Sequence, residues 1–368
     1  MSYRAYKVEL HPNNKQITFF KKCVGTSRWV YNWALTLRKA FYETNQKSLS
    51  HFDTAKLLTQ EKKNTTWLKE VPKSVHRGAM VNLDAAYQRF FKEKKGFPKF
   101  KSKHTSRKSF LLESEQFKVD TNKIFVARLG WVRLKEANYI PVDGVKFISA
   151  TVSFRADRWF VSVTVSDGEE LPSLVSEGDI IGIDLGIKTL AVCSNGMSFE
   201  NPRAYKSNLM KLKRLQRKVS RRAKGSKNRE KAKKKLANQY YKTSCLRQDA
   251  LHKMTTSLVR TKPKAVVIED LNVEGMLKNH KLAQALSDVS FGEIRRQLEY
   301  KCKLNGIELY VIDRFFPSSK TCNKCGCIKD DLKLSDRTYK CNDCGYEEDR
   351  DVNASYNIRD YYLHSSSP

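Results

Sequence analysis

An α/β architecture with a strand-rich, helix-interrupted domain ahead of it is predicted, on three observations. Short apolar strands recur in the second half of the chain: Asp179-Ile-Ile-Gly-Ile-Asp184, Ala265-Val-Val-Ile-Glu269 and Ile307-Glu-Leu-Tyr-Val-Ile-Asp313. A run such as 265–268, apolar at every position, belongs in the centre of a sheet covered on both faces. In the first half, one strand (3–10) gives way to a helical pattern and then to several short strands, the layout of a small β-barrel holding a helical insert. Near the C-terminus, Cys322-x-x-Cys325 and Cys341-x-x-Cys344 lie fifteen residues apart, the spacing of a four-cysteine zinc ribbon.

The N-terminal strand ends at His11-Pro12-Asn13. From Gln16 to about Lys94, apolar residues recur at helical spacing: Phe19, Phe20, Cys23 and Val24, then Trp29, Val30, Trp33 and Ala34, and later Ala79, Leu83, Ala86 and Phe90. Gly96-Phe-Pro-Lys-Phe-Lys-Ser-Lys-His is a basic, turn-rich junction. Strand patterns return at 118–121, 123–127, 131–134, 145–154 and 159–165, and Ser176-Glu177-Gly178 punctuates the next boundary. Residues 203–260 carry twenty Lys and Arg against Glu230 and Asp249, a net +18, and read as two basic helices joined through Lys224-Gly225-Ser226. The boundaries follow: 1–10 and 95–176 for the barrel, 11–94 for the helical insert, 177–320 for the α/β domain, 321–346 for the ribbon, and 347–368 for a last helix with a frayed tail at 365–368.

The chain has 368 residues, 40% hydrophobic and 11% aromatic, enough for two or three cored domains. Its 70 Lys and Arg against 39 Asp and Glu leave a net charge of +31, which makes nucleic acid the leading partner. No segment joins a long apolar face to a basic one, as a membrane-surface helix would, and no apolar run approaches the ~20 residues that span a bilayer. Nothing near the first residues resembles a signal core, so a cytoplasmic protein is expected. Cys23, Cys193, Cys245 and Cys302 sit in helix or strand patterns, as reduced and buried cytosolic thiols do. Cys327, two residues past Cys325, reads as a bystander to the ribbon.

In so basic a chain, the cluster Glu347-Glu348-Asp349-Arg350-Asp351 needs a purpose other than solubility. Asp184 and Glu269 each end an apolar strand, and functional groups gather beyond the carboxyl ends of strands in open sheets. Asp351 opens a helix (352–362) able to pack across that sheet and present a third carboxylate. Three carboxylates without a His or Ser nucleophile suit metal-assisted phosphodiester hydrolysis, with two Mg²⁺ ions (or Mn²⁺) ~3.5–4 Å apart. Asp349 and Glu348 are then supporting or solvated groups. The four cysteines would hold a structural zinc that does no chemistry.

With these residues in hand, the chain resembles the TnpB family, transposon-associated RNA-guided DNA endonucleases related to the type V CRISPR effectors. The resemblance is carried by Gly182-Ile-Asp-Leu-Gly-Ile-Lys188, Arg247-Gln-Asp-Ala-Leu-His-Lys253, Ile268-Glu-Asp-Leu271 and Gln297-Leu-Glu-Tyr-Lys301. It continues through Pro317-Ser-Ser-Lys-Thr-Cys-Asn-Lys-Cys-Gly326 and Asp349-Arg-Asp-Val-Asn-Ala-Ser355. It implies an RNase H-like RuvC nuclease domain with Asp184, Glu269 and Asp351 as its acidic triad, a wedge-type β-barrel and a helical recognition insert. It implies a guide RNA from the transposon end, one protein per RNA, and double-stranded target DNA read by base pairing. It also places reading of a short target-adjacent motif near His51, Lys73, Ser74 and Arg77, where this sequence departs from its relatives.

The basic helices of 203–260 are expected to follow guide–target and scaffold nucleic acid by phosphate contact. Tyr240, Tyr241, Phe315 and Phe316 are expected in core packing rather than stacked on bases. Two competing readings remain: a nuclease-dead RNA-guided DNA-binding regulator, and a guide-independent RNA-binding or RNA-cleaving protein. Retention of all three acids disfavours the first. A strand-joining transposase is weaker still, since no paired His or Tyr nucleophile is recognisable.

Overall fold

The computed structural model describes residues 3–175, 177–333 and 336–365; Ser176, in the expected boundary, and residues 366–368 of the expected tail lie outside them. The chain divides into two compact units, Met1–Glu170 and Leu171–Pro368.

In the first unit, β1 (Tyr3–His11) leads into three helices, α1 (Asn14–Asn45), α2 (His51–Asn64) and α3 (Lys73–Glu93). Six strands follow: β2 (Lys108–Glu113), β3 (Phe117–Asp120), β4 (Lys123–Val126), β5 (Gly130–Leu134), β6 (Lys146–Arg155) and β7 (Arg158–Ser166). They form one antiparallel sheet with the order β2-β6-β7-β1-β5-β4-β3. The edge strands β2 and β3 are separated in sequence only by the short turn Ser114–Gln116. Three residues span at most ~10 Å, so the sheet has to curl until its edges nearly meet. Val8, Leu112, Ile124, Val132, Val152, Val161 and Val163 fill the interior of that curl.

Asn13 starts α1 with a reciprocal capping box, its side chain accepting from Gln16 N–H while the Gln16 side chain accepts from Asn13 N–H. The 32-residue helix serves two cores. Phe20, Cys23 and Val24 pack on the sheet. Val30, Tyr31, Ala34 and Leu35 pack with Leu58, Ala79, Met80 and Leu83 of α2 and α3. The strand β2 is absent from the sequence-based reading, because Phe110-Leu111-Leu112 breaks the alternation that marked its neighbours.

The second unit carries β8 (Ile180–Leu185), β9 (Thr189–Cys193), β10 (Ser198–Glu200), α4 (Ala204–Ser220), α5 (Lys227–Arg260), β11 (Ala265–Glu269), α6 (Val273–Leu277), α7 (Ala283–Val289), α8 (Phe291–Leu304) and β12 (Glu308–Ile312). The small hairpin β13 (Thr338–Lys340) and β14 (Glu347–Asp349) precedes α9 (Arg350–Ser365). The main sheet has the order β10-β9-β8-β11-β12, with β8, β11 and β12 parallel. Both faces are covered: Ile181, Ile183, Val266 and Ile268 face α5, α7 and α8, while Ala265, Val267 and Ile312 face Ile358 and Tyr362 of α9. That explains why β11 is apolar at four successive positions.

The basic hairpin α4–α5 is fastened by one buried acid. Asp288 accepts from the backbone N–H of Tyr205 and Lys206 at 2.9–3.1 Å, capping α4 from another helix, and meets Arg247 at 3.3 Å. Among the described residues, no helix is long and apolar enough to cross a membrane.

Candidate active site

The acidic site follows from strand register. Ile268 pairs with Ile183, so the next residues along these parallel strands, Glu269 and Asp184, are neighbours at the carboxyl edge. Side chains alternate across a strand, so Asp184 shares a face with Gly182, and Glu269 with Val267. That is the face covered by α9. Gly182 lies under α9: a Cβ there would overlap the Ser355 carbonyl and sit 2.5 Å from the Arg359 nitrogen. Two strand residues advance about 6.6 Å and four helix residues about 6 Å, so Asp351, four before Ser355, reaches the level of Asp184, two beyond Gly182.

Electrostatics record the same convergence. Burial pushes the Asp184 carboxyl up to about 8, reinforced by the negative charges of Glu269 and Asp351 and opposed by Arg350. Burial also raises Glu269, while a hydrogen bond from the Ser318 hydroxyl pulls it back. Arg350 holds the Asp351 carboxylate at 2.9 Å, and Arg337 approaches it at 4.0 Å. Asp349, expected as a supporting or solvated group, caps α9 by accepting from the Asp351 and Val352 N–H groups at 2.9 and 3.2 Å. Hard oxygen donors, partly buried and crowded enough to raise a carboxyl pKa, fit divalent cations that would relieve the repulsion.

The cysteines are gathered more tightly. The sulfurs of Cys322, Cys325, Cys341 and Cys344 all lie within 4.8 Å of one another, with Cys322–Cys344 and Cys325–Cys341 at 3.6 Å. Zn–S bonds near 2.3 Å in a tetrahedron place sulfurs about 3.8 Å apart, so the donor set fits zinc. Gly326 and Gly345 follow the second cysteine of each pair at φ +75° and +69°, a left-handed turn that glycine adopts without penalty. Among the described residues, the four cysteines are the group that closes into such a cluster; Cys327 and the three carboxylates do not join one. Cys23, Cys193 and Cys302 are buried, but Cys245, expected buried, is exposed on α5.

Several functional candidates were not legible in the sequence. The buried Ser318 donates to Glu269, and its own carbonyl accepts from Asn357 at 2.7 Å. Asn323, beside Cys322, donates to α9, through its backbone N–H to Asn353 at 3.1 Å and its side chain to Asn357 at 3.2 Å and Asp360 at 2.7 Å. The base of the ribbon is thereby bound to the helix carrying the third acid. A polar stripe of Asn353, Asn357 and Asp360 on the last helix was the available signal.

In the first unit, the four residues singled out for motif reading are differently placed. Lys73 and Arg77 are about two-thirds exposed and pair with Glu115 and Glu113 at 3.0 and 3.1 Å. The His51 Nδ1 meets Asp84 at 2.7 Å, and Arg38 meets the same carboxylate at 2.6 Å. Ser74 is fully buried, because α3 turns it inward with Val75 and Ala79. Among the aromatics, Phe316 packs on Tyr361 as expected, with ring centroids 4.8 Å apart. Phe315 does the opposite, standing 87% exposed, and Tyr240 is also exposed, its hydroxyl held by Gln216 at 2.6 Å.

Comparison with known proteins finds relatives over nearly the whole chain. Residues 160–280 match a family model described as "Probable transposase", of the OrfB type of IS605 elements. Residues 291–358 match the TNB domain of Cas12f1-like proteins. Residues 1–47 match a model described as a helix-turn-helix domain, although here they fold as β1 and the single helix α1. A Streptomyces pristinaespiralis protein named as an RNA-guided DNA endonuclease is 38% identical over 96% of this chain and 88% of its own length. The Escherichia coli K12 protein InsQ, named likewise, is 30% identical over 96% and 91%. The fold is shared with the Cas12f1 chain of a guide RNA–target DNA complex, at TM-score 0.60 and 16% identity over 94% of this chain and 83% of that one. Similarity at this level over nearly the full length, together with the matched domains, means that the chain belongs to the TnpB family.

Proposed function

We propose that this protein is an RNA-guided, divalent-metal-dependent DNA endonuclease encoded by an insertion sequence. The observation that carries the reading is the register that sets Asp184 beside Glu269, with α9 seated on Gly182 and Asp351 in its first turn. Cations of the magnesium type, when bound by these carboxylates, would supply Lewis acidity and an activated water. The chain's own groups prepare that site. Ser318 orients the Glu269 carboxylate, Arg350 fixes that of Asp351, and Asp349 caps the helix on which Asp351 rides. Burial keeps bulk water from screening the charges.

The donor set of Cys322, Cys325, Cys341 and Cys344 would hold a structural zinc. Residues 203–260, the α4–α5 hairpin with Arg203 and a net +18, supply the phosphate-binding surface for a guide RNA transcribed from the transposon end and for its target duplex. Sequence choice then rests with base pairing and a short target-adjacent motif, with Lys73, Arg77 and His51 as candidate readers. Relatives named as RNA-guided DNA endonucleases and the fold shared with a Cas12f1 complex support this reading. One acidic site would cut both strands in turn.

The test is to purify the protein with its co-expressed transcript, sequence that RNA, and incubate the complex with matched duplex and Mg²⁺. Cleavage by the wild type and none by Asp184→Ala is expected. Cleavage that survives this substitution removes the triad assignment. Target occupancy without any cutting by the wild type would instead indicate a binding regulator.

A further inference from the structure

Phe315 is the most exposed large apolar side chain among the described residues, at 87%. Its backbone is nevertheless pinned. The Phe315 N–H donates to the Asp313 carboxylate at 2.7 Å. The preceding Arg314 is fastened to Asp270, donating to its carboxylate at 2.5 Å and to its carbonyl at 3.3 Å. Arg295 grips the other oxygen of the same carboxylate at 2.9 Å. The following Phe316 is packed against Tyr361. The ring is thus presented to solvent on a restrained turn.

Its location names the partner. Glu269 pairs with Ile312 on adjacent parallel strands, so Asp270 and Asp313 are the next residues at the edge where Asp184 and Glu269 end. Three residues beyond Phe315, Ser318 donates to Glu269. Beside the ring lies an open depression of about 530 Å³, lined by Asp270, Arg295, Val311, Asp313 and Arg314. Its two cations are balanced by Asp270 and Asp313, so phosphate attraction is not what this rim offers. It offers an aromatic face. Bases inside a duplex have both faces covered, whereas an unpaired base has one free to stack, whatever its sequence.

We propose that Phe315 is a stacking platform for an unpaired nucleobase of the strand that enters the acidic site, held in place by the Asp270–Arg314 pair. The platform rests on the nuclease reading above and adds a base-binding subsite to it.

The experiment uses the full-length protein with its co-purified RNA, in buffer without divalent cations so that nothing is cut. A mixed-sequence single strand carrying 5-iodouracil is photocrosslinked, and the adduct is located by mass spectrometry. Affinity is measured in parallel across a range of salt concentrations for wild type, Phe315→Trp, Phe315→Leu and Phe315→Ala. The expected result is an adduct on Phe315 with single-stranded but not duplex oligonucleotide. Binding of the single strand should weaken about tenfold in the Ala and Leu variants and persist in Trp, with an unchanged salt slope. Wild-type affinity in Phe315→Ala, or no adduct at Phe315, overturns the platform. So does wild-type binding by Phe315→Leu, which would mark a merely apolar contact. If these fail while Asp184→Ala still abolishes cleavage, only the platform falls. If the wild type binds no single strand at all, the platform falls, and cleavage of matched duplex with Mg²⁺ decides the nuclease reading separately.

Discussion

Gly182 lies directly beneath Ser355, so closely that a single methyl group at this position would overlap the Ser355 carbonyl oxygen. The neighbouring atoms are helix backbone, which has no flexible end to move aside. Gly182→Ala should therefore displace α9 bodily, costing about 1–3 kcal/mol of stability from overpacking. Because α9 carries Asp351, DNA cleavage should fall by about a hundredfold even where the variant remains folded, as expected of an ångström-scale misplacement. Thermal melting and single-turnover cleavage measured together check this; an unaffected rate would mean that α9 does not set the site.

Ser318→Ala removes the hydrogen bond that opposes burial at Glu269. The Glu269 carboxyl should rise further, and the acid limb of the cleavage profile should move to higher pH. A hydrogen bond to a charged group contributes roughly 1.5–3 kcal/mol, so the rate near neutral pH should drop by about ten- to a hundredfold. A pH–rate profile compared with wild type is the measurement, and an unshifted acid limb counts against the role of Ser318.

Metal analysis should find one zinc per chain, lost in Cys341→Ser and on chelation. Thiolate ligands must shed protons to bind, so zinc affinity should decline as pH falls. Because Asn323 hydrogen-bonds Asn353 and Asn357, zinc removal should also raise amide hydrogen exchange in the first turns of α9. Exchange that rises in the ribbon alone would show that the asparagine contacts do not transmit the loss. Re-addition of zinc, but not of magnesium, should restore protection.

His76 is buried on α3. Burial, with Lys62 and Arg128 nearby, lowers its pKa from 6.5 to about 4. The unfolded chain therefore takes up the proton first. Stability of this unit is full above pH 6.5 and declines as the pH falls from 6.5 towards 4, by at most about 3 kcal/mol. His76→Leu should flatten that decline in a series of denaturation curves, and a slope equal to wild type would place the acid sensitivity elsewhere.

Much of the secondary structure was legible because it obeys simple periods. The apolar run 265–268 announces a strand covered on both faces, and Leu251, Met254 and Leu258 announce a helix against it. The four-cysteine cluster was legible because its two knuckles are local, each spanning a few residues and a turn glycine. Other features were hidden for physical reasons. β2 interrupts alternation, since Leu111 meets Gly78 of α3 while Phe110 and Leu112 face the interior of the sheet. The burial of Ser74 was hidden because an isolated polar residue carries no sign of which way its helix turns. Phe315 and Phe316 are adjacent and chemically identical, yet one is packed and the other bare.

Primary structure by itself determined the ingredients: three acids at strand and helix ends, four thiols at knuckle spacing, and a basic hairpin. Each depends on side-chain type and on neighbours within a few residues, which the linear order states outright. Tertiary structure alone decided the relations: Asp184 beside Glu269 through a parallel register, Asp351 brought level by the close approach over Gly182, and Ser318 turned onto Glu269. Those relations join residues tens of positions apart, and only packing sets which of many possible registers and faces is buried.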